Sequence, residues 1–373
     1  MKTSPTAVRR VLIQGGNSLL ILLVAIAFFL FLFHRIGLVN AWQFPIKPIV
    51  AFLGGGCLSC FVLAWFSTKQ WKKRLFRAVI VVFIALNAIA YLGTYALTHY
   101  TPPGQLGLGF PRPRNAQISS NEGIKYTSQR IPINSQEWLD AWFVPVDAAT
   151  PRGTVLLFPG NGGSKASQLL APARGFHQLN YNTLLVDFRG VGGSSGTTRT
   201  LGMREAKDVA IALNYARKLE AESPIILYGI SMGTAAILRA IASENARPDA
   251  IILELPFARF LSAARVRLRA LNIPSFPLAE LMIFWGSVQH GFNGFSHNPV
   301  AYAKFVNCPT LILHGERDRW TTRTEIEAIF NNLLGGKQLV VFPSAGHQLL
   351  VTVDKELWSG SINQFLKEES FKG

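Results

Sequence analysis

At 373 residues, 49% of them apolar and only 16% charged, the chain is too long for one typical domain and too greasy for a protein soluble throughout. Its net charge of +16 is unevenly spread, because ten of the 37 basic residues and none of the 21 acidic ones fall within residues 1–100. That distribution excludes a nucleic-acid patch as the main source of the charge and marks a basic, membrane-proximal region ahead of a more balanced domain.

Three hydrophobic stretches come first. Residues 11–33 and 78–97 carry no charge over 23 and 20 residues, each long enough for a helix that crosses a bilayer. Between them lies 49–66, 18 residues long, whose Gly54, Gly55 and Gly56 lower helix propensity but permit close helix packing. Trp42, Trp65, Trp71, Tyr91, Tyr95 and Tyr100 fall near the expected ends, as an interfacial aromatic belt requires. The first stretch exceeds the ~7–15 apolar residues of a signal peptide and is followed by no small-x-small cleavage site, which favours an uncleaved anchor. Lys2, Arg9 and Arg10 precede it, and Lys69, Lys72, Lys73, Arg74 and Arg77 come after the second stretch, so the positive-inside rule assigns both groups to the cytoplasm. Three crossings then put the rest of the chain outside the cytoplasm; if 49–66 only dips into the membrane, the rest returns to the cytoplasm. Cys57 and Cys60 lie in the second stretch as small packing residues, and Cys308, alone in the remainder, leaves no intradomain disulfide.

Residues 101–115, rich in Pro and Gly, are expected to be a linker, followed by a domain over 116–373. Segments 125–133 and 137–146 suggest an antiparallel entry pair. Strands near 154–158, 183–187, 224–228, 250–254, 309–313 and 338–342 then alternate with helical patterns. This alternation predicts an α/β fold with a mostly parallel sheet and helices on both faces. An apolar and basic insertion, 258–305, separates the strands at 250–254 and 309–313; it carries Arg259, Arg265, Arg267 and Arg269 among Leu, Phe and Trp residues.

The chemistry gathers at the ends of those strands. Gly229-Ile230-Ser231-Met232-Gly233 joins a strand to a helix, and glycines on both sides of a serine let a sharp turn lift the hydroxyl clear of the backbone. Alone, this pentapeptide is equally an ordinary glycine-rich connection. Downstream of it, however, stand Asp318 in His314-Gly315-Glu316-Arg317-Asp318 and His347 in Gly346-His347, each just past a strand. The order Ser, Asp, His is one of the known chain orders of a serine triad, in which imidazole takes the serine proton and carboxylate fixes its tautomer. Upstream, Pro159-Gly160-Asn161-Gly162-Gly163-Ser164 can turn backbone N–H groups to one point, and those of Asn161 and Met232 are expected to form an oxyanion hole. A phosphate cradle is the weaker reading of that loop, since no lysine stands in Walker spacing. Glu254 closes a strand and is an alternative triad acid. Asp187 and Arg189 suggest a structural loop pair, and His177, His290, His297 and His314 suggest surface or strand-end positions. No His or Cys spacing points to a metal site, and no cofactor is implied.

From about Gly123 onward the chain resembles the α/β-hydrolase superfamily, and within it the membrane-anchored serine hydrolases of the Bem46-like group and their bacterial relatives. The resemblance rests on Phe158-Pro159-Gly160-Asn161-Gly162-Gly163, Asp187-Phe188-Arg189-Gly190-Val191-Gly192-Gly193-Ser194, the serine pentapeptide, Glu254-Leu255-Pro256-Phe257, and the Asp318 and His347 segments. Pro159 stands where the group usually has histidine, and Val191 where it usually has an aromatic residue. Such a fold implies that 258–305 is a small cap. The expected activity is therefore cleavage of an ester or thioester of a lipid or acyl compound by a membrane-embedded enzyme through an acyl-enzyme, with no nucleic-acid partner. An amidase or aminopeptidase uses the same triad, though no acidic site for a free amino terminus is identifiable. A non-catalytic membrane scaffold on the same fold is the alternative outside enzymes.

Overall fold

A computed structural model describes residues 71–101, 105–113, 124–220 and 223–368. The stretches 11–33 and 49–66, with Cys57 and Cys60, lie outside the described residues, as do parts of 101–115 and all of 116–123. The chain divides into two compact units, one containing 71–93 and 269–282, the other 94–268 and 283–373.

The first described element is α1 (Trp71–Thr98), 28 residues long with a mean hydropathy of 2.3 over an 18-residue stretch within it, the one helix among the described residues long and apolar enough to cross a membrane. Phe76, Val79, Val82, Phe83 and Ile84 are exposed along it. It begins seven residues before the expected 78–97, because Lys72, Lys73, Arg74 and Arg77 continue the helix as good helix formers rather than opening a loop.

Beyond α1, the expected linker is not free over its described part. Strand β1 (Tyr100–Thr101) pairs in parallel with β2 (Phe110–Pro111), and Tyr100 N–H donates to Thr197 O at 2.7 Å. Arg199 Nε donates to Leu97 O, and its guanidinium lies 4.9 Å from the centre of the buried Tyr100 ring. The Pro/Gly content that suggests a flexible spacer serves here to make close backbone approach possible: a Cβ on Gly109 would stand 2.4 Å from His99 O.

The main sheet has eight strands in the order β10-β9-β8-β7-β5-β6-β4-β3. The antiparallel entry pair is β3 (Thr127–Pro132) and β4 (Trp138–Val144), and β4 is also antiparallel to β6. The parallel part comprises β5 (Thr154–Phe158), β6 (Asn182–Val186), β7 (Ile225–Ile230), β8 (Ala250–Glu254), β9 (Thr310–Gly315) and β10 (Lys337–Phe342). Strands β5 to β8 are buried at every position, so they read as continuous apolar runs instead of alternating ones. Period-2 geometry divides them between two cores. Leu156, Phe158, Ile225 and Leu227 face α3 (Glu205–Leu219) and α4 (Met232–Ser243), whereas Val155, Leu157, Ile226 and Tyr228 face α2 (Leu170–Gln178) and the C-terminal helix.

The insertion forms α5 (Phe260–Ala270), α6 (Leu278–His290) and α7 (Pro299–Tyr302); after β9 come α8 (Arg323–Asn332), α9 (Leu350–Val353) and α10 (Lys355–Glu368). Strand order places the site. The chain steps from β5 to β6 on one side and then to β7 on the other, so the loops after β5 and β7 part at a topological switch point, where open α/β sheets bind ligands.

Candidate active site

Ser231 stands between β7 and α4 with φ 50° and ψ −105°, a conformation costly for a residue with a side chain. It is held there from several directions. Its N–H donates to Glu254 O at 2.8 Å, continuing the β7–β8 ladder by one residue, and Thr234 Oγ1 donates to its carbonyl. The flanking glycines are required by space: a Cβ on Gly229 would lie 2.6 Å from the Gly233 carbonyl carbon, and one on Gly233 2.6 Å from Phe158 O.

Two other loops converge on this serine. Glu316 N–H donates to Phe342 O and Arg317 N–H to Ala345 O, so the segments after β9 and β10 are tied together. Asp318 and His347 are thereby brought side by side, with His347 Nδ1 2.7 Å from Asp318 Oδ2 and His347 Nε2 3.0 Å from Ser231 Oγ. The Asp318 carboxylate is fully buried and accepts Trp320 N–H at 2.7 Å through Oδ1. With its proton on Nδ1 and donated to Asp318, His347 leaves Nε2 to accept from the serine hydroxyl. Such a relay can carry a proton off a serine nucleophile.

The loop after β5 runs beside the same point. A Cβ on Gly160 would touch Ser231 Cβ at 3.5 Å, and Gly160 N–H is already donated to Gln168 Oε1 at 2.7 Å. Among the described residues, the N–H groups of Asn161 and Met232 make no hydrogen bond, and Met232 opens α4, whose N-terminal dipole favours negative charge. No group of three His, Cys, Asp or Glu side chains suited to a metal ion occurs among the described residues.

Glu254 occupies a different setting from Asp318. It is fully buried and accepts from Tyr228 Oη (2.5 Å), Trp358 Nε1 (2.9 Å) and Leu350 N (2.9 Å). Burial raises its pKa, opposed by those three donors. Its oxygens therefore bind β7, α9 and α10 together, and His347 pairs with Asp318.

Three expectations need correction. Asp187 does not pair with Arg189: it takes Lys165, whose Nζ lies 2.5 Å from Asp187 Oδ2 and 2.6 Å from Asp140 Oδ2, while Arg189 Nε pairs with Asp208 at 2.8 Å. Lys165 is buried directly after the β5 loop, and its backbone N–H also donates to Asp187, which pins that loop to the end of β6. Nothing near Lys165 in the sequence marks it as more than a solvated lysine. His290 and His297 are buried rather than at the surface, and His297 sits between Leu201 O (3.0 Å) and Tyr302 Oη (3.2 Å). Burial holds the pKa of each down at about 4.

The sequence profile described as "Alpha/beta hydrolase family" matches residues 155–357, a little over half of the chain. Among curated proteins, the chain is 26% identical over 210 residues to the lysophosphatidylserine lipase ABHD12 of Macaca fascicularis, covering 52% of this chain and 49% of that protein. It is 23% identical over 276 residues to protein bem46 of Schizosaccharomyces pombe, covering 71% and 84% respectively. It spans from about half to just under two thirds of the length of the first curated relatives it matches (49% and 64%). Among solved structures, an esterase of Pyrococcus furiosus, Pf2001, superposes with a TM-score of 0.57 at 18% identity, covering 72% of this chain and 98% of that one. That likeness shows the α/β-hydrolase fold, and the bem46 match places the resemblance in the Bem46-like group.

Proposed function

Because this chain belongs to the alpha/beta hydrolase family, we propose that it is a membrane-anchored serine hydrolase that cleaves an ester or thioester of a lipid or other acyl compound. The observation that carries this reading is the hydrogen-bonded series Ser231 Oγ, His347, Asp318, with the serine on a strained turn. Ser231 Oγ attacks the carbonyl carbon while His347 Nε2 takes its proton. The oxyanion that forms accepts from the N–H groups of Asn161 and Met232. His347 then gives the proton to the departing alcohol or thiol, leaving an acyl-serine that water cleaves by the same steps in reverse.

An acyl substrate agrees with the apolar character of the insertion, and ABHD12 bears the name of a lipase. Membrane anchorage is supported by α1, whose exposed Phe76, Val79 and Phe83 would be poorly hydrated in water and well solvated by lipid. The chain is expected to remain in the membrane pellet after alkaline carbonate extraction; its release would remove the anchor from this reading. The hydrolase domain is proposed to lie outside the cytoplasm, so alkaline phosphatase fused after Gly373 should be active and would be inactive on a cytoplasmic domain.

The test of the activity is a series of p-nitrophenyl esters from acetyl to dodecanoyl. We expect turnover that rises with chain length, because each buried methylene contributes up to ~0.8 kcal/mol of binding, so two or three should alter kcat/KM by about tenfold or more. Equal kcat/KM for acetyl and octanoyl esters would contradict an apolar acyl pocket, and turnover unaffected by Ser231→Ala would contradict the nucleophile.

A further inference from the structure

Arg267 is a partly buried cation that forms no salt bridge among the described residues. It lies on α5, where Nη1 donates to Ala263 O at 3.2 Å and the guanidinium carbon stands 5.2 Å from the centre of the Trp320 ring. No Asp or Glu is within ion-pair distance of it among the described residues. Other buried arginines of this domain are satisfied differently. Arg189 is paired with Asp208, and Arg199 donates to Leu97 O and to Tyr100 Oη. A guanidinium has five N–H donors, and one backbone carbonyl and one aromatic face leave most of its edge unused.

Its position gives that edge a purpose. Trp320, on which Arg267 rests, donates its N–H to Asp318 Oδ1, so the guanidinium lies one residue layer from the His347 partner. Asp318 does not neutralise it through a bond: its two oxygens are taken by His347 and Trp320 N. Burial lowers the Arg267 pKa, and the charge of Asp318 acts in the opposite direction. The nearby loop adds to the positive field, since Arg317 and Arg319 are exposed and unpaired among the described residues, whereas Glu316 faces Arg323 at 3.8 Å. A guanidinium kept this close to a reaction centre, in no salt bridge and with only the already engaged Asp318 carboxylate acting on it, can take a ligand's anionic group without breaking a protein ion pair.

We propose that Arg267 is a specificity-determining residue that binds an anionic group of the substrate, a carboxylate or phosphate carried by the ester beside its scissile bond. The proposal rests on the hydrolase reading above and narrows it from acyl esters in general to those with an acidic head. A planar guanidinium engages either oxyanion through two parallel N–H bonds, which a lysine cannot reproduce.

The experiment compares three octanoyl esters on the full chain in detergent: 1-octanoylglycerol, its 3-phosphate, and the octanoyl ester of glyceric acid. Arg267→Met should lower kcat/KM for one or both anionic esters by roughly 10- to 100-fold while leaving the neutral ester within about twofold, and Arg267→Lys should fall between. Loss confined to the phosphate or to the carboxylate ester identifies which anion is read. A parallel arm needs no turnover: calorimetric binding of octyl phosphate to the Ser231→Ala protein should weaken by a similar factor on adding Arg267→Met, with octanol unaffected. Equal losses on neutral and anionic esters would show that Arg267 merely positions the Asp318 loop, and unchanged kinetics would show that it does neither; both overturn the proposal. If no ester is cleaved by the unaltered protein, the hydrolase reading fails, and the binding arm still decides whether Arg267 holds an anion.

Discussion

The loops at the carboxyl ends of β5, β7, β9 and β10 and the helical insertion after β8 are constrained in different ways. In the loops, close backbone contacts select the residue: Gly229 and Gly233 stand where any Cβ would meet backbone within 2.6 Å, and Gly315 where it would meet Gly346 O at 2.5 Å. Such demands leave a local signature, because little besides a tight turn requires glycine at a fixed offset on both sides of a serine. The insertion carries no comparable signature. Its arginines and aromatics could serve packing, solvation or binding, and which they serve is decided by residues far away in sequence, as Trp320 is from Arg267. Motif-bearing loops thus announce a chemistry, while specificity is written in through-space contacts.

This difference can be broken most forcefully at the two buried carboxylates. Asp318→Asn should lower ester turnover by about 10⁴-fold with little change in melting temperature, because the amide favours the wrong tautomer of His347 without emptying the site. Glu254→Gln should do the reverse, lowering the melting temperature through loss of its charge-assisted bonds to Tyr228, Trp358 and Leu350 while the folded fraction keeps its activity. Kinetics and thermal melts on both proteins check this. A larger kinetic loss in Glu254→Gln would transfer the role of the triad acid to Glu254.

A smaller effect is expected at Lys165. Replacing it by Ala leaves Asp187 buried without a counter-ion, so the domain should lose about 3–5 kcal/mol of stability, measurable by denaturant titration. Because Lys165 also secures the β5 loop, the double change Lys165→Met with Asp187→Leu should recover stability more than activity. Equal recovery of both would mean that the pair does not hold the loop in place.

Smallest is an acid effect at His297. Its pKa is lowered from 6.5 to about 4, first by burial and further by Arg239, against the bond to Leu201 O. The unfolded chain therefore takes up a proton at this position between about pH 6.5 and 4 that the folded chain resists, so stability falls as pH falls through that window, by up to about 3 kcal/mol. His297→Gln should flatten the dependence of melting temperature on pH over that range. An unchanged slope would mean that His297 protonates freely in the folded state.

Much of the fold was legible from composition alone. Most of the parallel strands are short, largely apolar runs with Gly, Pro, Asn or Asp at their ends, and observed limits such as Thr154–Phe158 and Ala250–Glu254 coincide with the expected ones. The residues Ser231, Asp318 and His347 were legible because each stands just past a strand in a recognisable chain order, and the structure brings them within hydrogen-bonding distance. Ion-pair partners were not. Asp187 and Arg189 are two residues apart, yet β6 ends at Val186 and the chain turns at Arg189, and groups brought in by the fold, Lys165 and Asp208, take them instead. The burial of His290 and His297 was hidden for the same reason, since polar side chains inside an apolar insertion look exposed until their neighbours are known: the His99 and Phe292 rings for His290, Leu201 O and Tyr302 Oη for His297.

The role of Ser231 as the nucleophile is central, and its most direct measurement is covalent labelling with an alkyl fluorophosphonate, with mass spectrometry of the intact chain and its peptides. One phosphonyl adduct, located on Ser231 and absent from both Ser231→Ala and His347→Ala proteins, is the predicted result. An adduct on another residue, or labelling that persists at full extent in the Ser231→Ala protein, would contradict it.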